Sequence, residues 1–257
     1  MEKFLHQDTI LRPRPPSDMF ASTMAGETAR SSFRVLIPDR RHKTAGWRDE
    51  ADGDDFRCDH FVSPQGEHKA TIVWLHDKDD HFSDSVKFAR ILGHKNVNWI
   101  CPPIVYTNTS YNFGSNIKQD DQETLDTAAY LVASLLSGEP PNVIKRVGGC
   151  GMGAVVALHF AKKCALGHYP INPRVVVGID GWLSIVGSIK SSIESAVGAS
   201  ARVASQSILL THETVERRLP YTSDEEVVVS LKEAGFGEVL LVPYSRLCQC
   251  VALEKWS

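Results

Sequence analysis

Ala70-Thr71-Ile72-Val73-Trp74-Leu75 is an unbroken apolar, β-branched run with no polar alternation. A strand of this kind is hydrophobic on both faces and must be covered on both, the condition met in a parallel sheet layered between helices. Further strands are expected over Val97-Asn98-Trp99-Ile100-Cys101, stopped by Pro102-Pro103, and over 143–147, 175–179, 208–211 and 239–242. Between them lie segments with helical periodicity. Val86, Phe88, Ala89 and Leu92 share one face of a helix over 83–92. Leu125, Ala128, Ala129, Val132, Leu135 and Leu136 form the stripe of a longer helix, with Asp120 and Asp121 as its expected caps and Gly138 and Pro140-Pro141 after its end. Further helices are expected over 154–165, between Ser184 and Ala204, and over 223–234. Strands alternating with helices of this length predict an α/β domain with a mainly parallel sheet and helices on both faces.

The first 57 residues differ. Arg12-Pro13-Arg14-Pro15-Pro16, a Ser/Thr/Ala/Gly stretch and the acidic run Asp49 to Asp55 offer little to bury, and only Phe33 to Ile37 suits a short strand. Residues 1–57 are therefore expected to form a mobile extension, and 58–257 the folded domain. With 257 residues, 42% of them hydrophobic, the chain can bury a full core. The net charge of −3 provides no basic field for nucleic acid, and Arg40-Arg41-His42-Lys43 is short and offset by nearby acids. No apolar run reaches membrane-spanning length, and the N-terminus lacks the apolar core of a leader. The six cysteines are scattered without a CxxC pair, and Cys248-x-Cys250 alone is a poor zinc signal. These features predict reduced thiols, no metal, no membrane span and a cytoplasmic protein.

Two kinds of site suit such a sheet. A dinucleotide fold wants a glycine fingerprint after its first strand, but Leu75 is followed by His76-Asp77-Lys78-Asp79-Asp80, whose charge is hostile to a pyrophosphate. The glycine-rich turn is Gly148-Gly149-Cys150-Gly151-Met152-Gly153, and its glycines are wrongly spaced for a nucleotide loop. The better match is a nucleophile elbow, G-x-S-x-G on a strand-to-helix turn, with Gly149 and Gly153 as the small flanks and Gly151 at the centre. Centring the motif on Cys150 would put Met152 where a small residue is required.

From about Asp59 to Trp256 the sequence resembles the acyl-protein thioesterase and carboxylesterase branch of the α/β-hydrolases, its plant members above all. The resemblance is carried in order by several segments. Thr71 to His76 resembles the strand and histidine that open the oxyanion loop, and Asn98 to Pro102 the next strand. Gly181-Trp182-Leu183 is similar to a segment walling the acyl pocket. Ile208 to His212 with Leu219-Pro220-Tyr221 brackets the loop of the acid, and Val242-Pro243-Tyr244 leads toward that of the histidine. The resemblance implies no cofactor, and it makes His76 and Trp182 pocket residues.

The resemblance also places the family's serine at Gly151, its aspartate at Glu216 and its histidine at Gln249. Glycine has nothing to attack with, and glutamine cannot act as a general base near neutral pH. Lys78 and Met152 would supply the two backbone donors of the oxyanion hole, but Asp77 and Asp79 stand where the family has glycines, and carboxylates oppose a developing oxyanion. The family continues past the last strand into a covering helix, whereas this chain stops at Ser257, so apolar surface near Val239 and Leu241 is expected to be open to a partner. Three readings follow: an inactive esterase fold, either retained as a binding or regulatory module or simply degenerating, a hydrolase using Cys150, Cys248 or Cys250 in an altered geometry, and a non-catalytic module that binds an acyl ligand.

Overall fold

The computed structural model describes residues 60–104, 106, 119–181, 189–213 and 221–244. The expected extension over 1–57, Trp182, Glu216, Gln249 and the Cys248-x-Cys250 pair lie outside the described residues.

In chain order the elements are β1 (Phe61–Val62), β2 (Ala70–Leu75), α1 (Phe82–Leu92), β3 (Val97–Ile100), α2 (Gln119–Ser137), β4 (Ile144–Cys150) and α3 (Met152–Ala165). There follow β5 (Val175–Ile179), α4 (Ile189–Ser195), α5 (Ala199–Ala204), β6 (Ser207–Glu213), α6 (Tyr221–Glu233) and β7 (Glu238–Tyr244). The strands form one sheet in the order β1-β3-β2-β4-β5-β6-β7. All neighbours are parallel except β1, which runs antiparallel to β3 at the edge through Phe61↔Ile100 and Val62↔Trp99.

The apolar run that demanded two covered faces obtains them. All six residues of β2 are buried. Val73 and Leu75 point into a core shared with α2, α3 and α6, while Ile72 and Trp74 point into a second core with Val86 and Ala89 of α1. This is the period-two alternation of a strand, with both sets apolar because both faces are dry. The helix α3 runs through the first core with Phe160 and Ala161 almost wholly buried.

Three expectations need correction. The strand expected over 143–147 runs on to Cys150, because Gly148 and Gly149 remain in the ladder opposite Trp74 and Leu75. Asp120 and Asp121, expected as caps, fall inside α2, which begins at Gln119. The last strand is not open at Val239 and Leu241: Val239 is buried, and Leu241 packs against the core that holds Val227 and Leu231 of α6. Leu240, which alternates with them onto the other face, is 38% exposed.

Gly148 serves packing. A Cβ there would stand 2.6 Å from the indole ring of Trp74, so the ring lies across the backbone of β4, with Phe88 at 5.0 Å and Trp99 at 5.9 Å between centroids. Gly148→Ala is expected to destabilise the fold by about 1–3 kcal/mol through overpacking. Urea unfolding measures this, and the cost should shrink when Trp74→Leu is added.

Candidate functional site

The turn from β4 into α3 sits at the carboxyl end of the sheet, where parallel α/β folds gather their sites. Gly151 occupies its apex with φ 50° and ψ −114°, in the region that L side chains rarely adopt. Its N–H donates to the carbonyl of Ile179 at the end of β5, 2.8 Å away. The flanking glycines are needed for space. A Cβ on Gly149 would stand 2.6 Å from the backbone of Gly153 and from the Leu75 carbonyl, and one on Gly153 would collide with the same carbonyl. The helix can therefore start hard against β2 and β4.

Asp77, just past the end of β2, turns its side chain into this turn. One carboxylate oxygen, Oδ1, accepts the backbone N–H of Lys78 and that of Met152, both at 2.7 Å. Its Cγ and both oxygens fall inside contact distance of where a Cβ on residue 151 would stand. The carboxylate thus fills the seat of the side chain that Gly151 lacks. Two backbone donors converging on one anionic oxygen form charge-assisted hydrogen bonds, stronger than their neutral counterparts. A carboxylate in this position needs glycine beneath it.

His76 holds the loop from behind. It is 7% exposed, and its Nε2 accepts the Ile104 N–H at 3.2 Å, so the ring proton sits on Nδ1 and is donated to the Asp77 carbonyl at 2.7 Å. The Tyr106 hydroxyl donates to the His76 carbonyl at 3.0 Å. The same Asp77 carbonyl accepts the Asp80 N–H at 3.2 Å, closing a turn. Burial, followed by the charges of Asp77 and Asp84, raises the Asp80 pKa above the ordinary aspartate value. The rim of the site is therefore acidic, and His76 is a fastening of its loop.

Lys78 and Met152 meet at Asp77, and Gly151 lies beneath it. Trp182, Glu216 and Gln249 lie outside the described residues. Cys150 ends β4 on the strand face opposite α2 and α3, and its side chain packs against the cluster of Trp74, Trp99 and Ile179 rather than standing at the apex. Residues at the strand ends beside the turn escaped the sequence reading. Asp180, directly after β5, adopts φ 52°, and its Oδ1 lies 3.9 Å from Nδ1 of the buried His212 on β6. That separation is an electrostatic contact, too long for a hydrogen bond. The acid at the end of an apolar strand, in Gly178-Ile179-Asp180-Gly181, was the available signal.

Asp77 and Gly151 form one packing unit, so their substitutions should not add. Gly151→Ser drives a side chain into the carboxylate at a positive φ and is expected to destabilise by about 1–3 kcal/mol. Asp77→Gly forfeits two charge-assisted bonds, each worth about 1.5–3 kcal/mol. The double variant should lie above the sum of the two by a coupling of about 0.5–3 kcal/mol. A double-mutant cycle in urea measures it, and strict additivity would separate the two residues.

No family model matches the sequence, and no match is found among curated proteins. Solved structures match well. The acyl-protein thioesterase 2 of Zea mays is 32% identical, with a TM-score of 0.64 over 73% of this chain and 89% of that one. A phospholipase/carboxylesterase from Dyadobacter fermentans is 19% identical with TM-score 0.53, over 74% of this chain and 88% of its own. The Bacillus cereus carboxylesterase is 15% identical with TM-score 0.54, over 76% and 91%. The two bacterial proteins share the fold. The maize protein shares sequence as well as fold, and the chain belongs to the acyl-protein thioesterase family of α/β-hydrolases.

Proposed function

We propose that this chain is a non-hydrolysing member of its family, whose oxyanion hole is occupied by its own Asp77. The observation that carries the reading is the pair of 2.7 Å bonds from the Lys78 and Met152 N–H groups to Asp77 Oδ1. In an α/β-hydrolase the N–H of the residue after the nucleophile and one from the loop after an earlier strand bind the oxyanion of the tetrahedral intermediate. Here that role falls to Met152 and Lys78, and a carboxylate has taken the oxyanion's place. A substrate carbonyl would have to displace a negative charge already held by two donors.

The rest of the triad assignment agrees. In this reading the nucleophile's position is Gly151, the acid's Glu216 and the base's Gln249, so neither an attacking side chain nor a proton acceptor is in place. Cys150 is the strongest rival nucleophile, and its packing on the sheet face argues against it. The other described cysteines, Cys101 and Cys164, are buried thiols. Burial pushes the pKa of Cys101 up to about 12 and raises that of Cys164 as well, which makes them inert. Thiols of this kind suit a reducing compartment, and the reading places the chain in the cytoplasm. No described helix is long and apolar enough to cross a membrane. The function proposed for the fold is non-catalytic, as a binding or regulatory module.

Hydrolysis of p-nitrophenyl butyrate by the full chain tests the reading, with Cys150→Ala as control. Turnover is expected at the uncatalysed background. Loss of a serine or histidine from an intact triad costs roughly 10⁶ and leaves about 10³–10⁴ over water from the oxyanion hole and binding, a residue that the seated Asp77 should remove. Turnover abolished by Cys150→Ala would overturn the reading. Restoration should follow an order. Gly151→Ser with Gln249→His supplies a nucleophile and a base, and Glu216 can orient the base, since some members of the superfamily use glutamate there. Activity should still appear only when Asp77→Gly and Asp79→Gly are added. Removing one oxyanion donor costs about 2.7–4 kcal/mol, and a carboxylate held on two of them should cost no less.

A further inference from the structure

A second feature lies on the same sheet, on the α1 face and away from the elbow. Arg146 stands in β4, the middle strand of the sheet, between Ile72 of β2 and Val175 of β5. By strand rise it is roughly 16 Å from Gly151. Its neighbours on that face are apolar. Ile72, Trp74, Leu92, His94, Trp99 and Val175 surround it and line a cavity of about 50 Å³.

A half-buried guanidinium in such walls normally has a carboxylate or carbonyl partner. Among the described residues the Arg146 side chain makes no hydrogen bond and no ion pair, and its Nε is buried with no acceptor. Burial alone lowers its pKa, with no neighbouring charge contributing, yet arginine stays protonated throughout the physiological range. Trp99 is 3% exposed, and its indole Nε1 is a second buried donor with no acceptor. The His94 ring lies parallel to that of Trp99, at 9° and 6.3 Å between centroids, which extends a flat wall over the cavity. Two residues that line this apolar pocket thus carry buried donors without acceptors, one of them on a positive charge, and an anion is the species that satisfies both.

We propose that Arg146 and Trp99 form a binding site for the carboxylate of a small, flat, apolar acid, separate from the elbow. The guanidinium fork matches the two oxygens of a carboxylate. At about 50 Å³ the cavity admits the carboxylate head, and the aromatic and aliphatic residues around it suit an apolar ring or short chain that lies outside the cavity. A phosphate, with more oxygens and a greater charge, would find too few donors. The site does not depend on whether the elbow is catalytic.

Isothermal titration of the full chain with sodium benzoate, benzamide and inorganic phosphate tests the proposal. Benzoate is expected to bind at a single site and to quench tryptophan emission, with benzamide and phosphate much weaker. Arg146→Met should weaken benzoate about ten- to hundred-fold, the loss expected for a hydrogen-bonded charge. Since it removes an unbalanced charge, the same variant should melt no lower than the parent chain in benzoate-free buffer. Trp99→Phe keeps the ring and deletes the donor, so it should weaken benzoate by a smaller factor with little change in melting. No binding at millimolar benzoate, equal binding of benzamide, preference for phosphate, or unchanged affinity in Arg146→Met would each overturn the proposal. A lower melting temperature in Arg146→Met with full affinity in Trp99→Phe would do the same, by making the arginine structural.

Discussion

The carboxylate of Asp77, held by the N–H groups of Lys78 and Met152, is the contact around which the carboxyl end of this sheet is organised. It joins the loop after β2 to the first residue of α3, two segments that otherwise meet through close glycine packing. It also explains Gly151 in physical terms. A side chain there would stand inside the carboxylate, so the absent side chain and the inserted one are two halves of a single arrangement. His76 and Tyr106 hold the loop in the register that delivers Asp77, through bonds to backbone groups.

The scaffold beneath retains the geometry of its family. Gly149 and Gly153 allow β4 and α3 to approach the Leu75 carbonyl closely, and Gly151 keeps the positive φ that a nucleophile would have to endure. Gly151 presents no side chain at the apex of this turn. Glycine tolerates the conformation at little steric cost, so the turn can persist as architecture. The parallel sheet and its two apolar cores depend on strands such as β2, whose faces are both buried whatever the cleft contains.

Much of this was legible in the residues. β2 was marked by an unbroken apolar β-branched run, because burial on both faces leaves few polar positions to blur the signal, and the other strands after it were marked by shorter apolar stretches between helical segments. The strand-to-helix turn at Gly151 was legible in the spacing of Gly149, Gly151 and Gly153. The two-residue β1 was not legible, since Phe61-Val62 is too short to show a period. Nor was the true end of β4, because glycines in a ladder read as a turn until their partners Trp74 and Leu75 are known. Asp77 was seen as a charge hostile to an oxyanion, but its inward turn was hidden. The direction of a loop side chain is set by distant donors, here Met152, rather than by local pattern. The unbalanced Arg146 was hidden for the same reason, as a lone arginine in a strand says nothing of what faces it.

The most direct test of the account is the amide proton shifts of Lys78 and Met152 in isotopically labelled protein, compared between the parent chain and Asp77→Ala. A charge-assisted bond moves an amide proton downfield. The account predicts that both resonances lie well downfield in the parent chain and that both move upfield together in Asp77→Ala, while the amide of Gly151, bonded to Ile179, stays in place. Two resonances that ignore the loss of Asp77 would contradict it.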